Sequence, residues 1–181
     1  MELWVDITVL NDGTRTDEER FGALGDLKLA IDRVPLGDDH AVVLASDHLF
    51  DIDLQAVYRD FLARGRTTLL VRRVEPAGGP SPYNEVTLDD EGRVVGMREK
   101  PSDPQADRSA IALYFMTADD LALLPEYLET GSHDAPGYFL SWLAARVPWY
   151  APPLRIRWFD IGSLEGREDA RACFERENPY G

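Results

Sequence analysis

Apolar and polar positions first define a strand, a helix and a second strand in the central part of the chain. The apolar run at residues 41–45 has the length of a buried strand, and residues 54–64 show a helical period. Gly65 marks the C-terminal end of that helix, and residues 67–71 form a second apolar run. This order predicts parallel strands joined by a right-handed crossover.

The remaining pattern extends this unit into a mixed α/β fold. Residues 83–88 and 94–99 flank a polar turn, which predicts a β-hairpin. Further strands are predicted at 7–10, 110–116 and 154–159, and further helices at 27–34, 118–128, 136–143 and 164–175. We therefore expect a single domain over residues 1–181 with a mixed, mostly parallel sheet.

Composition narrows the classes of partner. The chain has 181 residues and a net charge of −14, which argues against nucleic acid or an anionic membrane as the main partner. No apolar run approaches the roughly 20 residues of a membrane helix, and the first residues carry no leader pattern. A single cysteine, Cys173, excludes an internal disulfide. We expect a cytoplasmic protein.

Carboxylates follow two of the predicted strands directly. Asp47 comes after the run at 41–45, and Asp160 comes after the run at 154–159. In open α/β sheets, ligands bind beyond the carboxyl ends of the strands, so both aspartates are candidate metal or substrate ligands. Asp53 is better explained as the N-cap of the following helix. Glu99 and Lys100 place an acid and an amine beside Pro101, although adjacent pairs of this kind are commonly surface ion pairs.

These residues suit chemistry at phosphorus. Mg²⁺ is commonly held by one or two carboxylates and completed by water and substrate phosphates. A nearby lysine neutralises a phosphate as a point charge. In-line displacement by a substrate phosphate then requires neither a protein nucleophile nor a general base, because positioning and charge neutralisation carry the reaction.

Five short motifs identify a family resemblance that runs from about Ile7 to Arg171. They occur in the order found in sugar nucleotidyltransferases, and the chain resembles the glucose-1-phosphate thymidylyltransferase-like branch of the nucleotidyl transferase family. The motifs are Phe21–Asp26, Ala45–Phe50, Glu99–Pro101, Asp134–Phe139 and Trp158–Gly162.

The resemblance implies a Rossmann-like three-layer α/β/α fold with an inserted hairpin over a sugar pocket. It implies attack of a sugar 1-phosphate on the α-phosphorus of a nucleoside triphosphate, with dTTP or UTP as the expected nucleotide and Mg²⁺ as the cofactor. The implied catalytic residues are Asp47, Lys100 and Asp160, of which Asp47 and Asp160 would bind the metal. The implied substrate-binding residues are Gly22, Glu99, Tyr83, Ser109 and Gly162.

The sequence also departs from the family pattern. The family opens with a strand, a glycine-rich loop and a helix that cradle the triphosphate, and the match here begins after that segment, so we expect an N-terminally shortened fold. Residues 83–86 read Tyr-Asn-Glu-Val where the family usually has Tyr-Gly-Val-Val. Asn84 would crowd the sugar, and Glu85 would add negative charge near a phosphate.

Three functions remain open on the sequence. The chain is a sugar-1-phosphate nucleotidyltransferase, or a non-catalytic homologue that binds the same substrates or a full-length partner, or a glycosyltransferase that uses Asp51 and Asp53 as an Asp-x-Asp metal motif. The last is the weakest, because a helix cap explains Asp53. A lost first strand would leave an apolar sheet edge, which we expect a homo-oligomer, a partner subunit or residues 1–5 to cover.

Overall fold

The computed structural model describes residues 7–34, 36–75, 79–154 and 157–177. Its strands are β1 (Ala41–Leu44), β2 (His48–Asp51), β3 (Thr68–Arg73), β4 (Glu85–Leu88), β5 (Arg93–Arg98), β6 (Arg108–Met116), β7 (Trp149–Tyr150) and β8 (Arg157–Asp160). Its helices are α1 (Gly22–Arg33), α2 (Leu54–Arg64), α3 (Ala118–Leu121), α4 (Leu124–Leu128), α5 (Pro136–Ala144) and α6 (Leu164–Glu177), preceded by a 3₁₀ turn at Asp17–Glu19.

Six strands form one mixed sheet in the order β1-β6-β3-β7-β5-β4, and β2 pairs with β8 in a separate two-stranded sheet. The expected mixed sheet with a hairpin is confirmed, the hairpin being β4–β5. The expectation of mostly parallel pairing is wrong, since among the described strands only β3 and β7 pair in parallel. The long strand β6 inserts between β1 and β3 and is antiparallel to both.

The crossover predicted around α2 nevertheless sets the geometry of the site. Because β1 and β3 are both antiparallel to β6, they point the same way, and their carboxyl ends reach the same edge of the sheet. The Asp53 side chain accepts a hydrogen bond from the Ala56 N–H, and Gly65 ends the helix in the left-handed region at φ +61°. The expected N-cap and C-cap of this helix are therefore confirmed.

Apolar cores lie on both faces of the main sheet. One core packs α1, α4 and α5 against the sheet, including its hairpin strands, and contains, among others, Leu24, Leu69, Val86, Tyr114 and Phe139. The other packs α2 against the opposite face around Val57, Phe61, Leu70, Ile111 and Phe115. This arrangement gives the expected three layers. The segment predicted as one helix at 118–128 is divided into α3 and α4, with Pro125 in the first turn of α4.

The predicted strand at 7–10 is wrong. These residues form no regular element, and Ile7 and Val9 are 82% and 88% exposed. The edge strand β1 has no second partner among the described residues. Ala45 donates to Ala112, so the alternation of an antiparallel ladder directs the backbone groups of Val42 and Leu44 towards that open edge.

Across the described part of the chain, no helix is both long enough and apolar enough to span a membrane.

Candidate functional site

Asp47 and Asp160 are brought together by the small two-stranded sheet. In the β2–β8 pairing, His48 lies opposite Asp160. Asp47 precedes His48 in the chain and therefore lies close to Asp160. The N–H of Ile161 donates to the backbone carbonyl of Asp47 at 2.8 Å, which ties the two strand ends together. Two aspartates that are 113 positions apart in the sequence therefore meet at one point of the fold.

Gly162 provides the space between these carboxylates. A Cβ on Gly162 would lie 3.0 Å from Asp47 Oδ2 and 3.1 Å from Asp160 Oδ1, so both oxygens face the same point. The Gly162 N–H also donates to Asp160 Oδ1 at 2.9 Å. Two carboxylate oxygens directed at one small, open position form a donor set that suits Mg²⁺ with water and phosphate as its other ligands.

No larger metal cluster accompanies the pair: within the described ranges, no three His, Cys, Asp or Glu side chains are arranged to hold a metal ion. His48 is nearby, with its Nε2 at 3.7 Å from Asp47 Oδ1 and its ring edge-on to Trp158 at 4.8 Å. A metal at the aspartate pair would therefore depend on substrate and water to complete its coordination.

Glu99 is half-buried against α5. Its Oε2 lies where a Cβ on Gly137 would be, so glycine at this position leaves the space that the Glu99 carboxylate occupies. Burial raises the pKa of Glu99, and the negative charge of Asp134 raises it further, while Lys100 opposes both. Burial and the neighbouring Glu99 also raise the pKa of Tyr114. The acid predicted to bind sugar hydroxyls is thus set in a low-dielectric position.

Lys100 is exposed and has an unusual backbone conformation. Its φ of +44° lies in the left-handed region, where it is the only non-glycine among the described residues. That conformation costs a residue with a Cβ about 1–2 kcal/mol. Such strain persists where the surrounding structure enforces it, and it is concentrated at functional positions.

The other predicted substrate residues lie in different surroundings. A Cβ on Gly22 would be 2.3 Å from the His133 carbonyl oxygen, and the N–H groups of Ala23 and Leu24 donate to the backbone of residues 133–134. Ser109 is 1% exposed, and its hydroxyl donates to Asn84 Oδ1 at 3.3 Å. Neither Gly22 nor Ser109 contacts the aspartate pair through these groups, and their predicted roles stay predictions.

The expectation that Glu85 adds an uncompensated negative charge is wrong, whereas the expected crowding of the sugar by Asn84 stays a prediction. The Asn84 side chain brackets the backbone of Ala110, accepting from its N–H at 2.6 Å and donating to its C=O at 3.2 Å. Glu85 is buried and accepts from Arg98 at 2.8 and 3.0 Å and from the Ala106 N–H at 3.0 Å. Its charge is therefore neutralised within the hairpin and the following loop, because its partners lie there and not at a substrate.

The Asp-x-Asp reading of residues 51–53 is also wrong. Asp53 caps α2, and the carboxylate of Asp51 accepts a hydrogen bond from Arg157 across the β2–β8 pair. Both side chains have structural partners.

Sequence reasoning missed Arg72, which ends a predicted apolar strand as Asp47 does. Its guanidinium lies 4.4 Å from the ring centres of both Tyr83 and Trp158, so the predicted substrate residue Tyr83 stacks on it. The two adjacent arginines at 72–73, at the carboxyl end of an apolar strand, were the available signal. A cavity of about 940 Å³ is bounded by Arg72, Arg108, the hairpin turn and residues 150–154, and does not include the aspartates.

Comparisons with known proteins agree with the motifs. A family model described as nucleotidyl transferase matches residues 7–176. A UTP–glucose-1-phosphate uridylyltransferase of Synechocystis sp. is 28% identical over 147 residues, which cover 80% of this chain and 37% of that protein. A glucose-1-phosphate thymidylyltransferase of Streptomyces antibioticus is 37% identical over 95 residues, which cover 46% of this chain and 27% of that protein.

Solved structures show the same fold. A UDP-glucose pyrophosphorylase complexed with UDP-glucose matches with a TM-score of 0.71 at 19% identity, over 87% of this chain and 63% of that one. A putative glucose-1-phosphate thymidylyltransferase from Bacillus anthracis matches with a TM-score of 0.72 at 18% identity, over 92% of this chain and 66% of that one. The chain thus spans well under half the length of the two curated relatives. With the family match covering almost all of its residues, the chain belongs to the nucleotidyl transferase family.

Proposed function

We propose that this chain acts in sugar-1-phosphate nucleotidyl transfer, in which a nucleoside triphosphate and a sugar 1-phosphate give a nucleoside diphosphate sugar and pyrophosphate. The observation that carries the proposal is the convergence of Asp47 and Asp160 on the space left by Gly162. Family membership and the names of the relatives, which are uridylyl-, thymidylyl- and adenylyltransferases acting on glucose 1-phosphate, support the same reaction.

The residues support this reaction through charge and position. A phosphate oxygen of the sugar 1-phosphate attacks the α-phosphorus, the α–β bridging bond breaks, and pyrophosphate leaves. Asp47 and Asp160 would hold Mg²⁺, which supplies neutralisation of phosphate charge when bound. Lys100, exposed beside Glu99, would face the sugar phosphate, and Glu99 would accept hydrogen bonds from sugar hydroxyls.

The remaining predicted contacts are assigned by resemblance. Tyr83 would border the sugar, Gly22 and its backbone the nucleobase, and Ser109 would support the pocket wall. UTP and dTTP are the proposed nucleotides, because the first two relatives are a uridylyl- and a thymidylyltransferase.

Pyrophosphate release tests the proposal directly. The 181-residue chain is incubated with Mg²⁺, glucose 1-phosphate and each of UTP, dTTP and ATP, and we expect release with UTP or dTTP. Asp47→Asn should lower the rate at least about 10²-fold, because it removes preorganised charge at the reacting phosphate. Asp51→Asn is the matched control, since it makes the same change four positions away on a residue paired with Arg157. Equal rates for the two variants, or no release by the folded chain, would contradict the proposal.

The open edge of β1 favours a second candidate, a binding subunit. Val42 and Leu44 are 44% and 54% exposed on the strand whose outer backbone groups are unpaired within the described ranges. Such an edge accepts another strand. We propose that a second copy or a family partner covers it. Substrate binding without pyrophosphate release in the same assay would favour this candidate over the enzyme.

A further inference from the structure

Arg72 is held between two aromatic rings at the carboxyl end of β3. Its guanidinium carbon lies 4.4 Å from the ring centre of Tyr83 and 4.4 Å from that of Trp158. Tyr83 precedes the hairpin strand β4, and Trp158 lies on β8, so two separate parts of the fold contact this one side chain. Stacking of this kind restrains the guanidinium plane and leaves its N–H donors to act in that plane.

This guanidinium lacks a hydrogen-bonding or ionic partner. The Arg72 side chain makes no hydrogen bond or ion pair with any residue in the described ranges, and its Nη2 is buried without an acceptor. The neighbouring Arg73 differs, since its Nη1 lies 3.7 Å from the carboxylate of Asp107. Buried donors in native proteins nearly always have an acceptor, so an unpaired one calls for an acceptor from outside the chain, such as a water, an ion or a ligand.

The unpaired donors are grouped beside the aspartate pair. Four buried side-chain polar atoms lack a partner within the described ranges, and three of them are Arg72 Nη2, Trp158 Nε1 and His48 Nδ1. These three side chains form a chain of contacts. Arg72 contacts the Trp158 ring, and the Trp158 and His48 rings are 4.8 Å apart. His48 in turn lies 3.7 Å from Asp47. The cluster therefore adjoins the proposed metal-binding carboxylates.

Topology and shape allow a ligand to reach Arg72. Since β1 and β3 point the same way, Arg72 near the end of β3 and Asp47 beyond β1 occupy the same edge of the sheet. Arg72 and Tyr83 also line a cavity of about 470 Å³, together with Arg73, Arg108 and residues of the 81–85 segment. Arg72 thus lines a cavity at the edge of the sheet that carries Asp47, and the contacts of Trp158 and His48 link it to Asp47.

We propose that Arg72 is a substrate-anchoring residue that binds a phosphoryl oxyanion, with Tyr83 and Trp158 fixing its plane. The inference rests on the proposed function, because it places this phosphate beside the Asp47–Asp160 pair. A phosphoryl group matches the guanidinium best, since its oxygens accept two parallel N–H donors. Both substrates of the proposed reaction carry such a group, on the sugar 1-phosphate and on the nucleotide.

Calorimetric titration in EDTA tests Arg72 independently of the metal site and of turnover. Inorganic phosphate, glucose 1-phosphate and UTP are each titrated into wild type, Arg72→Gln and the matched control Arg73→Gln. We expect Arg72→Gln to weaken phosphate binding about tenfold, the usual effect of losing a charged hydrogen bond, and Arg73→Gln to change it less than about twofold. A parallel loss for glucose 1-phosphate assigns the anchor to the sugar, and a parallel loss for UTP assigns it to the nucleotide.

Equal weakening by the two substitutions, or none, overturns the proposal, because a general electrostatic effect would act through both arginines alike. A wild-type chain that binds phosphate through Arg72 in EDTA but releases no pyrophosphate with Mg²⁺ would instead count against the proposed reaction. If the Arg72→Gln protein does not fold, NMR of the wild-type chain tests the same proposal. Added phosphate should shift the ¹⁵N resonance of Arg72 Nε and leave that of Arg73 Nε in place. Unmoved Arg72 Nε at saturating phosphate overturns the proposal.

Discussion

At the residue scale, Glu99 combines a buried carboxylate with two charged neighbours of opposite effect. Burial raises its pKa, Asp134 raises it further, and Lys100 lowers it, with the net result above the ordinary value. Only the ionised carboxylate accepts hydrogen bonds from sugar hydroxyls through both of its oxygens. If Glu99 binds the sugar as proposed, its contribution to affinity is present above the raised pKa and is lost as the pH falls through it.

We therefore expect glucose 1-phosphate binding to weaken on acidification. The midpoint of this loss should lie above about 4.3, the ordinary glutamate pKa. Asp134→Asn should move this midpoint to lower pH, because it removes a like charge and so lowers the pKa of Glu99. Calorimetric titration at a series of pH values measures the effect. Glu99→Gln is the control that corrects for titration of the phosphate itself. A wild-type profile that coincides with the Glu99→Gln profile would refute the assigned role.

The positions of residues at strand ends could be predicted, and contacts with distant partners could not. Asp47 and Asp160 were found because each directly follows an apolar run, and the structure does bring them together. The neutralisation of Glu85 depends on Arg98, which is 13 positions away in the sequence. The two residues lie opposite each other only when β4 and β5 pair in the register of the hairpin. The stacking of Arg72 likewise requires Trp158, which is 86 positions further along the chain.

At the element scale, Glu85 connects the hairpin to the loop that leads into β6. Its carboxylate accepts hydrogen bonds from Arg98 and from the backbone N–H groups of Gln105 and Ala106. Burial alone would raise the pKa of Glu85, but these hydrogen bonds outweigh it and lower the pKa. The stability that Glu85 contributes is thus present above its unfolded-state pKa and is lost as the pH falls through the lowered folded-state pKa.

Glu85→Gln should reduce the free energy of unfolding by about 2 kcal/mol at pH 7, the usual range for hydrogen bonds to a charged group. Urea unfolding measures this difference, which should shrink as the pH falls through the lowered pKa of Glu85. Glu91→Gln in the hairpin turn is the matched control, because its side chain is 74% exposed, and it should stay within about 0.5 kcal/mol of wild type. Equal destabilisation by the two variants would contradict the role given to Glu85.

Elements with strong local signals were predicted well. The caps at Asp53 and Gly65 bound α2, and the polar turn at 89–92 joins the hairpin strands. Pairing could not be predicted, because β6 lies between β1 and β3 although it comes later in the chain. The strand expected at 7–10 failed for a related reason: apolar residues need a partner strand to form a sheet, and those residues have none in the described fold.

At the scale of the whole molecule, the fold is that of its family. It contains the paired aspartates, the adjacent residues Glu99 and Lys100, and an open sheet edge at β1. The 181 residues carry no Gly-x-Gly-x-Arg pattern. The net charge of −14 makes a local cation or metal necessary for any phosphorylated substrate to approach the aspartates.

The central claim is that Asp47 and Asp160 act as one unit on the reacting phosphate. Pyrophosphate release with Mg²⁺, glucose 1-phosphate and the preferred nucleotide is measured for wild type, Asp47→Asn, Asp160→Asn and the double variant, all shown to be folded. Each single substitution should lower the rate at least about 10²-fold, and the double variant should be no slower than the slower single one, because residues that act as a unit are non-additive. Effects that multiply, or a single variant that keeps the wild-type rate, would contradict it.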